Sequence, residues 1–159
     1  MTGFASDRLS TDLTFHLNNE ISSLRAFLLL LEKEQQALLT QDSELLLTLA
    51  DEKNQATHKL IELSNLRRRS INLNAVNTDT TAWLEKNAPS CLSAWKEVRE
   101  LAKQAHQFNQ INGEVIQLKL RSNQKALTVL LGANENAAGL YGRDGQPNLP
   151  VAGRTLGSG

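Results

Sequence analysis

Few side chains in this sequence could carry out acid–base or metal chemistry, and they are widely spaced. The three histidines, His16, His58 and His106, are separated by more than forty residues each. A di-iron helical bundle requires a glutamate three residues before a histidine on two helices. Here those three places hold a leucine, a glutamine and a lysine. The spacing therefore favours histidines on helix flanks or in solvent, and we expect no metal site.

Cysteine and arginine chemistry is equally limited. The single cysteine, Cys91, has no local pattern that would activate a thiolate, so a small buried side chain is the favoured interpretation. The run Arg67–Arg69 could bind phosphate or an acidic partner, but cations near a helix C-terminus are also stabilised by the helix dipole. A solvated role is therefore favoured. Phosphate-binding glycine loops, nucleophile elbows and zinc-protease motifs do not occur. We expect no catalytic residue, no cofactor and no enzymatic activity.

Overall charge gives no reason to expect a nucleic-acid or lipid partner. The chain has 17 basic and 17 acidic residues and a formal net charge of zero, so we expect no nucleic-acid binding. No stretch approaches the roughly 18 consecutive apolar residues of a membrane-spanning helix, so we expect no membrane insertion. With one cysteine and an N-terminus that does not resemble a signal peptide, a cytoplasmic location is expected.

The elements that must position these side chains are helices. Leucine, glutamine, glutamate, lysine and alanine dominate, whereas the residues that favour strands are scarce, so the fold class is all-α. We predict an elongated antiparallel bundle of about three long helices plus a short one over residues 1–131. Its parts are a helical hairpin over about 10–72 and a long C-terminal helix over about 89–131. The first apolar stripe comprises Leu13, Leu17, Ile21, Leu24, Leu28, Leu31 and Leu38.

The hairpin turn and the second stripe can also be placed. Short polar residues over 40–43 predict the end of one helix and the cap of the next. The second stripe is interrupted at Lys53, and the two tryptophans, Trp83 and Trp95, are predicted to fill the junction with the last helix. The second stripe comprises Leu46, Leu49, Ala56, Leu60 and Leu63.

The last predicted helix changes character along its length. Its first half carries a regular apolar stripe, but Asn112, Gly113, Lys119 and Ser122 interrupt the second half and are poor choices for a permanent seam. We therefore interpret the second half as a surface that accepts an incoming amphipathic helix. Residues 132–159 hold seven of the nine glycines and two of the three prolines, which predicts a flexible tail.

Three motifs near the C-terminus carry a family resemblance. They are N-x-x-N-G over residues 109–113, R-x-x-x-x-A-L over 121–127, and L-Y-G-x-x-G over 140–145. In this order they resemble the FlgN family of flagellar type III export chaperones, over about the last third of the chain. The leucine-rich hairpin before them fits the family but is shared by many helical bundles.

The resemblance implies a small, cytoplasmic, non-enzymatic chaperone for the hook-filament junction proteins FlgK and FlgL. Such a chaperone holds the C-terminal helical segment of its client before export and delivers it to the export apparatus. Leu140 and Tyr141 resemble the tail residues that engage the membrane export gate FlhA. The client contact implied for this chain comprises Ile111, Val115, Leu118, Leu127, Leu130 and Leu131.

Two other interpretations of the sequence stay open. The apolar stripes could form a permanent homo-oligomer, as in a structural coiled coil or a helical assembly or signalling component. A monomer at all concentrations would count against this. Alternatively, an enzyme could assemble its polar groups only in the folded bundle, and the lack of a pocket with paired titratable side chains would count against that.

Overall fold

The computed structural model describes residues 3–71 and 79–140, with side chains placed over 7–71 and 79–134. In these ranges the chain is helical and has no strand, which confirms the all-α prediction. The elements are α1 (Gly3–Thr40), α2 (Ser43–Ser70), α3 (Thr80–Asn87), a 3₁₀ turn (Pro89–Cys91) and α4 (Leu92–Leu140).

Several element boundaries differ from those predicted. Helix α1 begins at Gly3 rather than near residue 10, and α4 continues past Leu131 to Leu140. The rest of the predicted tail, residues 141–159, lies outside the described residues. The chain divides into two compact units, Met1–Ile116 and Gln117–Gly159.

The predicted turn between α1 and α2 is confirmed and needs only two residues. Gln41 adopts a left-handed conformation with φ of 58°, and the Asp42 amide donates to the Ala37 carbonyl over 3.1 Å. This pair of features is a Schellman-type helix end. The Asp42 carboxylate then accepts a hydrogen bond from the Leu45 amide over 3.0 Å and caps α2. One short segment therefore ends one helix and begins the next, antiparallel to it.

The core of the first unit is built on the predicted α1 stripe. Six of its seven members are buried, and Leu28 is half-buried. At one end of α1 the stripe packs against the short helix and the start of α4, where Leu84, Cys91 and Val98 are buried. Trp83 and Trp95 pack against this cluster, as predicted for the junction. The interpretation of Cys91 as a small buried side chain is also confirmed.

The solvated interpretation of the arginine run is wrong for Arg67. Its guanidinium is buried, donates to the Glu20 carboxylate on α1 over 2.6 Å, and lies 4.5 Å from the centre of the Trp95 ring on α4. Arg68 and Arg69 are exposed as predicted. The counter-charge and the aromatic face come from other helices, which allows one arginine of the three to enter the core.

Candidate functional site

Within the first unit, α4 keeps its apolar stripe in the core as far as Asn112. Positions Ala105, Phe108 and Asn112 continue the three-and-four spacing, so the buried residue is Asn112, whereas its neighbour Ile111 is exposed. The prediction that Asn112 marks a loose surface is therefore wrong. Its side-chain nitrogen donates to the Leu31 carbonyl over 2.9 Å, which compensates part of its desolvation.

Of the two predicted client residues in the first unit, only one is well exposed. Ile111 is exposed, and Val115 is half-buried. The other four predicted client residues, Leu118, Leu127, Leu130 and Leu131, belong to the second unit and are all exposed. The second unit also exposes Leu120 and Val129, which the sequence reasoning did not include.

Helical geometry sorts these exposed residues onto two faces. At about 100° of rotation per residue, Leu118 lies about 180° from Leu127 and so on the opposite side of α4. Val129 lies with Leu118, about 20° away. Four other leucines share an arc of about 100°, and we call this set the leucine face. The leucine face comprises Leu120, Leu127, Leu130 and Leu131.

The six predicted client residues therefore do not form one continuous surface. Leu127, Leu130 and Leu131 are brought together on the leucine face, whereas Leu118 is not. Leu120 completes the leucine face, and the seven-residue step from Leu120 to Leu127 is the sequence signal that could have identified it. All four side chains of the leucine face are between 57% and 63% exposed.

A second apolar surface lies in the first unit and was not predicted. A shallow depression between α1, α2 and α4 is lined by Leu29, Leu45 and Phe108 together with polar side chains. Leu29 and Leu45 are exposed, and Phe108 is half-buried. Leu29 and Leu45 are therefore exposed leucines in the first unit, whereas the leucine face belongs to the second unit.

The described residues offer little for other kinds of site. None of the described His, Cys, Asp and Glu side chains form a group of three or more that could hold a metal ion. Across the described helices, none is both long and apolar enough to cross a membrane. Leu140 is the last residue of α4, but its side chain and the whole of Tyr141 lie outside the described residues.

Comparison with known proteins decides the family. The model of one family, described as FlgN protein, matches residues 1–148. The chain belongs to the FlgN family. The match extends far beyond the C-terminal motifs on which the resemblance rested, and it includes the hairpin and the leucine face. No curated protein and no solved structure matches the chain significantly.

Membership of the FlgN family gives a general functional assignment. FlgN proteins are flagellar export chaperones with hook-associated proteins as partners, so the chain has a general role in flagellar export. The leucine face of this FlgN protein is then a candidate surface for such a partner, because exposed apolar surface on one helix face is typical of helix-in-groove recognition.

Proposed function

We propose that this FlgN protein is a non-enzymatic chaperone that binds the C-terminal helical segment of the hook-filament junction proteins FlgK and FlgL. It holds that segment in the cytoplasm, prevents early assembly or aggregation, and delivers the client to the export apparatus. The observation that carries this proposal is the exposed leucine face on α4. The FlgN family model matches the part of the chain that contains this face. The client segment would supply the apolar stripe that covers the leucine face.

The energetics of the leucine face suit a temporary complex. Full burial of a leucine gains about 1.5–3 kcal/mol, and the four leucines are already partly covered, so each gains less than that. Association itself costs about 4–15 kcal/mol in lost freedom. The gain from the four leucines and from the matching side chains of a client is of the same order as this cost, so the net affinity is modest, which suits a client that must be released at export.

The proposed client contact retains the residues named from the resemblance, with the leucine face at its centre. Leu127, Leu130 and Leu131 contact the client directly together with Leu120. Ile111, Val115 and Leu118 lie outside the leucine face and make secondary contacts at most. For export, Leu140 and Tyr141 dock on the gate protein FlhA, a role supported by the L-Y-G-x-x-G motif.

Calorimetric titration of the full chain with a C-terminal fragment of FlgK tests the client proposal. The decisive variant is Leu127→Asp, and the matched control is Leu29→Asp, because both leucines are 59% exposed. We expect Leu127→Asp to weaken binding by about tenfold or more, since a carboxylate would be desolvated in the complex. Leu29→Asp should change the affinity by less than about threefold.

Three other results, two from the titration and one from sedimentation of the chain alone, would change the proposal. If the folded, unmodified chain does not bind the fragment, the client proposal is wrong. If Leu29→Asp weakens binding and Leu127→Asp does not, the client occupies the depression in the first unit instead. If the chain alone sediments as a dimer that Leu127→Asp dissociates, the alternative of a structural homo-oligomer replaces the chaperone proposal.

A further inference from the structure

The two parts of α4 in the first unit are attached to the α1–α2 hairpin by different kinds of side chain. Over residues 92–105, Val98 belongs to the apolar core cluster and Trp95 packs against it. Over residues 106–116, which the structure describes in full, Asn112 is the only side chain that is fully buried. The deepest contact of residues 106–116 is therefore polar, and we call these residues the polar-anchored segment.

The Asn112 side chain satisfies only one of its two polar atoms. Its nitrogen donates to the Leu31 carbonyl over 2.9 Å and to the Glu34 carboxylate over 2.8 Å. Its oxygen Oδ1 is buried and accepts no hydrogen bond from the described residues. Because water would form hydrogen bonds with both atoms, burial of this amide stabilises the attachment of α4 much less than burial of a leucine side chain would.

The hairpin keeps its own ion pair when the polar-anchored segment is removed. Lys53 on α2 donates to both oxygens of the Glu34 carboxylate on α1 over 3.0 Å. Detachment of Asn112 therefore leaves the Glu34 charge paired with Lys53 and opens it to water. No buried charge loses its counter-charge in this step, so the large penalty for an unpaired buried charge does not arise.

Packing around the polar-anchored segment is also incomplete. The depression between α1, α2 and α4 extends to Phe108, so the three helices do not close against one another there. A Cβ atom added at Gly113 would meet nothing within 4 Å. Protein interiors are normally close-packed, so both features mean that dispersion contacts are missing. The segment is held less firmly than residues 92–105.

We propose that the polar-anchored segment detaches from the hairpin as an intact helix, while residues 92–105 stay packed, and that the client binds the detached form more tightly. Ile116 is half-buried in the attached form and lies about 20° from Leu127 around α4, on the side of the leucine face. Detachment makes Ile116 available to a client that covers Leu120. The hairpin and the client thus compete for one side of α4. This inference rests on the proposed chaperone function and adds a regulatory contact to the same site.

A rigid attachment is the alternative, in which Asn112 only fixes the register of α4. The two possibilities differ in whether a buried hairpin residue becomes reachable without global unfolding. Leu31, whose carbonyl accepts from Asn112, and Leu17, in the apolar core cluster, are both 0% exposed. The variants Leu31→Cys and Leu17→Cys are therefore a matched pair for thiol labelling.

Iodoacetamide labelling of the full chain measures the reaction of each introduced thiol, and peptide mass spectrometry distinguishes it from the native Cys91. Chemical denaturation of each variant gives the labelling rate that global unfolding alone allows. We expect the thiol of Leu31→Cys to react at least tenfold faster than that rate, and the thiol of Leu17→Cys to react at that rate. Labelling of both thiols at the global rate, or an equal excess in both, would overturn the inference.

The variant Asn112→Leu tests the anchor, and Asn109→Leu is its matched control because Asn109 is exposed on the same helix. In the Leu31→Cys chain, Asn112→Leu should slow labelling by about tenfold or more, since a buried leucine strengthens the attachment. Asn109→Leu should change the rate by less than about twofold. Circular dichroism verifies that the helices are intact. Unchanged or faster labelling in a folded Asn112→Leu chain would overturn the inference. If this variant does not fold, labelling of Leu31→Cys with and without client decides.

Addition of the FlgK fragment separates this inference from the client proposal. Saturating fragment should speed labelling of Leu31→Cys by about tenfold, and Asn112→Leu should weaken fragment binding by about fivefold, because the client selects the detached form. If the fragment binds but labelling is unchanged or slower, the inference fails and the client proposal stands. If the fragment does not bind while Leu31→Cys still reacts fast, the client proposal and the competition fail, and the detachment stands.

Discussion

Asn112 on α4 donates its side-chain amide to the Glu34 carboxylate on α1 over 2.8 Å, within the core of the first unit. Lys53 on α2 donates to both oxygens of the same carboxylate over 3.0 Å. One carboxylate thus joins three helices. A shift of α4 along the hairpin would separate these groups and leave them buried without partners, so the cluster favours a single register of α4.

Removal of the lysine from this cluster should destabilise the first unit. In Lys53→Met the buried Glu34 loses its counter-charge, while a side chain of similar length remains. Because the lysine side chain is 22% exposed, we expect a loss of about 1–3 kcal/mol in the free energy of unfolding, below the range for fully buried pairs. Chemical denaturation measures the change.

The double variant Glu34→Leu with Lys53→Met is the control for this prediction. It removes both charges together but also takes an acceptor from the buried Asn112 amide, so its loss of stability should be smaller than the sum of the losses of the two single variants. A double variant that is as unstable as the sum of the two single variants would show that Glu34 and Lys53 do not interact energetically.

Arg67 should not tolerate replacement by lysine. The guanidinium donates to Glu20 and stacks on the Trp95 ring, and an ammonium group is too compact to do both. We expect Arg67→Lys to lower the free energy of unfolding by about 1–2 kcal/mol. The neighbour Arg68 is exposed, so Arg68→Lys should change stability by less than about 0.5 kcal/mol. Equal effects of the two replacements would contradict a specific role for Arg67.

The apolar part of this fold was predictable because spacing alone determines which helix face is buried. Leu13, Leu17 and Leu31 are buried as predicted, since residues three and four apart share a face whatever they pack against. Arg67 and Asn112 were not predictable as core residues. A buried polar group requires a partner from another helix, such as Glu20 or Glu34, and the register between helices is not visible in one sequence.

Helix spacing also explains why only some residues of the leucine face were named from the sequence. Leu127, Leu130 and Leu131 are exposed, as a surface that accepts a client requires, and their contact with a client stays a prediction. Leu118 was grouped with them, although rotation accumulates along a long helix and places it on the other side. Leu120 was missed for the same reason. Three-and-four spacing identifies residues on one helix face over one or two turns. Over about five turns, the rotation of each residue around the helix axis has to be added up to show which face it belongs to.

The α1–α2 turn offers a stabilising substitution. Gln41 has a φ of 58°, a conformation that costs a non-glycine residue about 1–2 kcal/mol, whereas glycine adopts it without that strain. Glycine also has more conformational freedom to lose on folding, which offsets part of the gain. We expect Gln41→Gly to raise the free energy of unfolding by about 0.5–1 kcal/mol. Gln41→Val should instead lower it, because a β-branched side chain is least tolerated at positive φ.

Gly113 offers a test of stability and binding together. It lies inside α4, next to the buried Asn112, and a Cβ atom added at this position would meet nothing within 4 Å. Gly113→Ala should therefore raise the free energy of unfolding by about 0.5–1 kcal/mol, since alanine is the better helix former. Denaturation and titration with the FlgK fragment would be measured on the same sample.

The affinity of Gly113→Ala then shows how close the client lies to this part of α4. If the client covers only Leu120 to Leu131, Gly113 lies seven residues, about 10 Å, beyond the contact along α4, and the affinity should remain within about twofold. A gain in stability with a large loss of affinity would show that the client backbone packs directly on Gly113. The contact would then extend the leucine face by about two helical turns, from Leu120 to Gly113, whereas Ile111 and Val115 lie about 160° from Gly113 and would still lie off it.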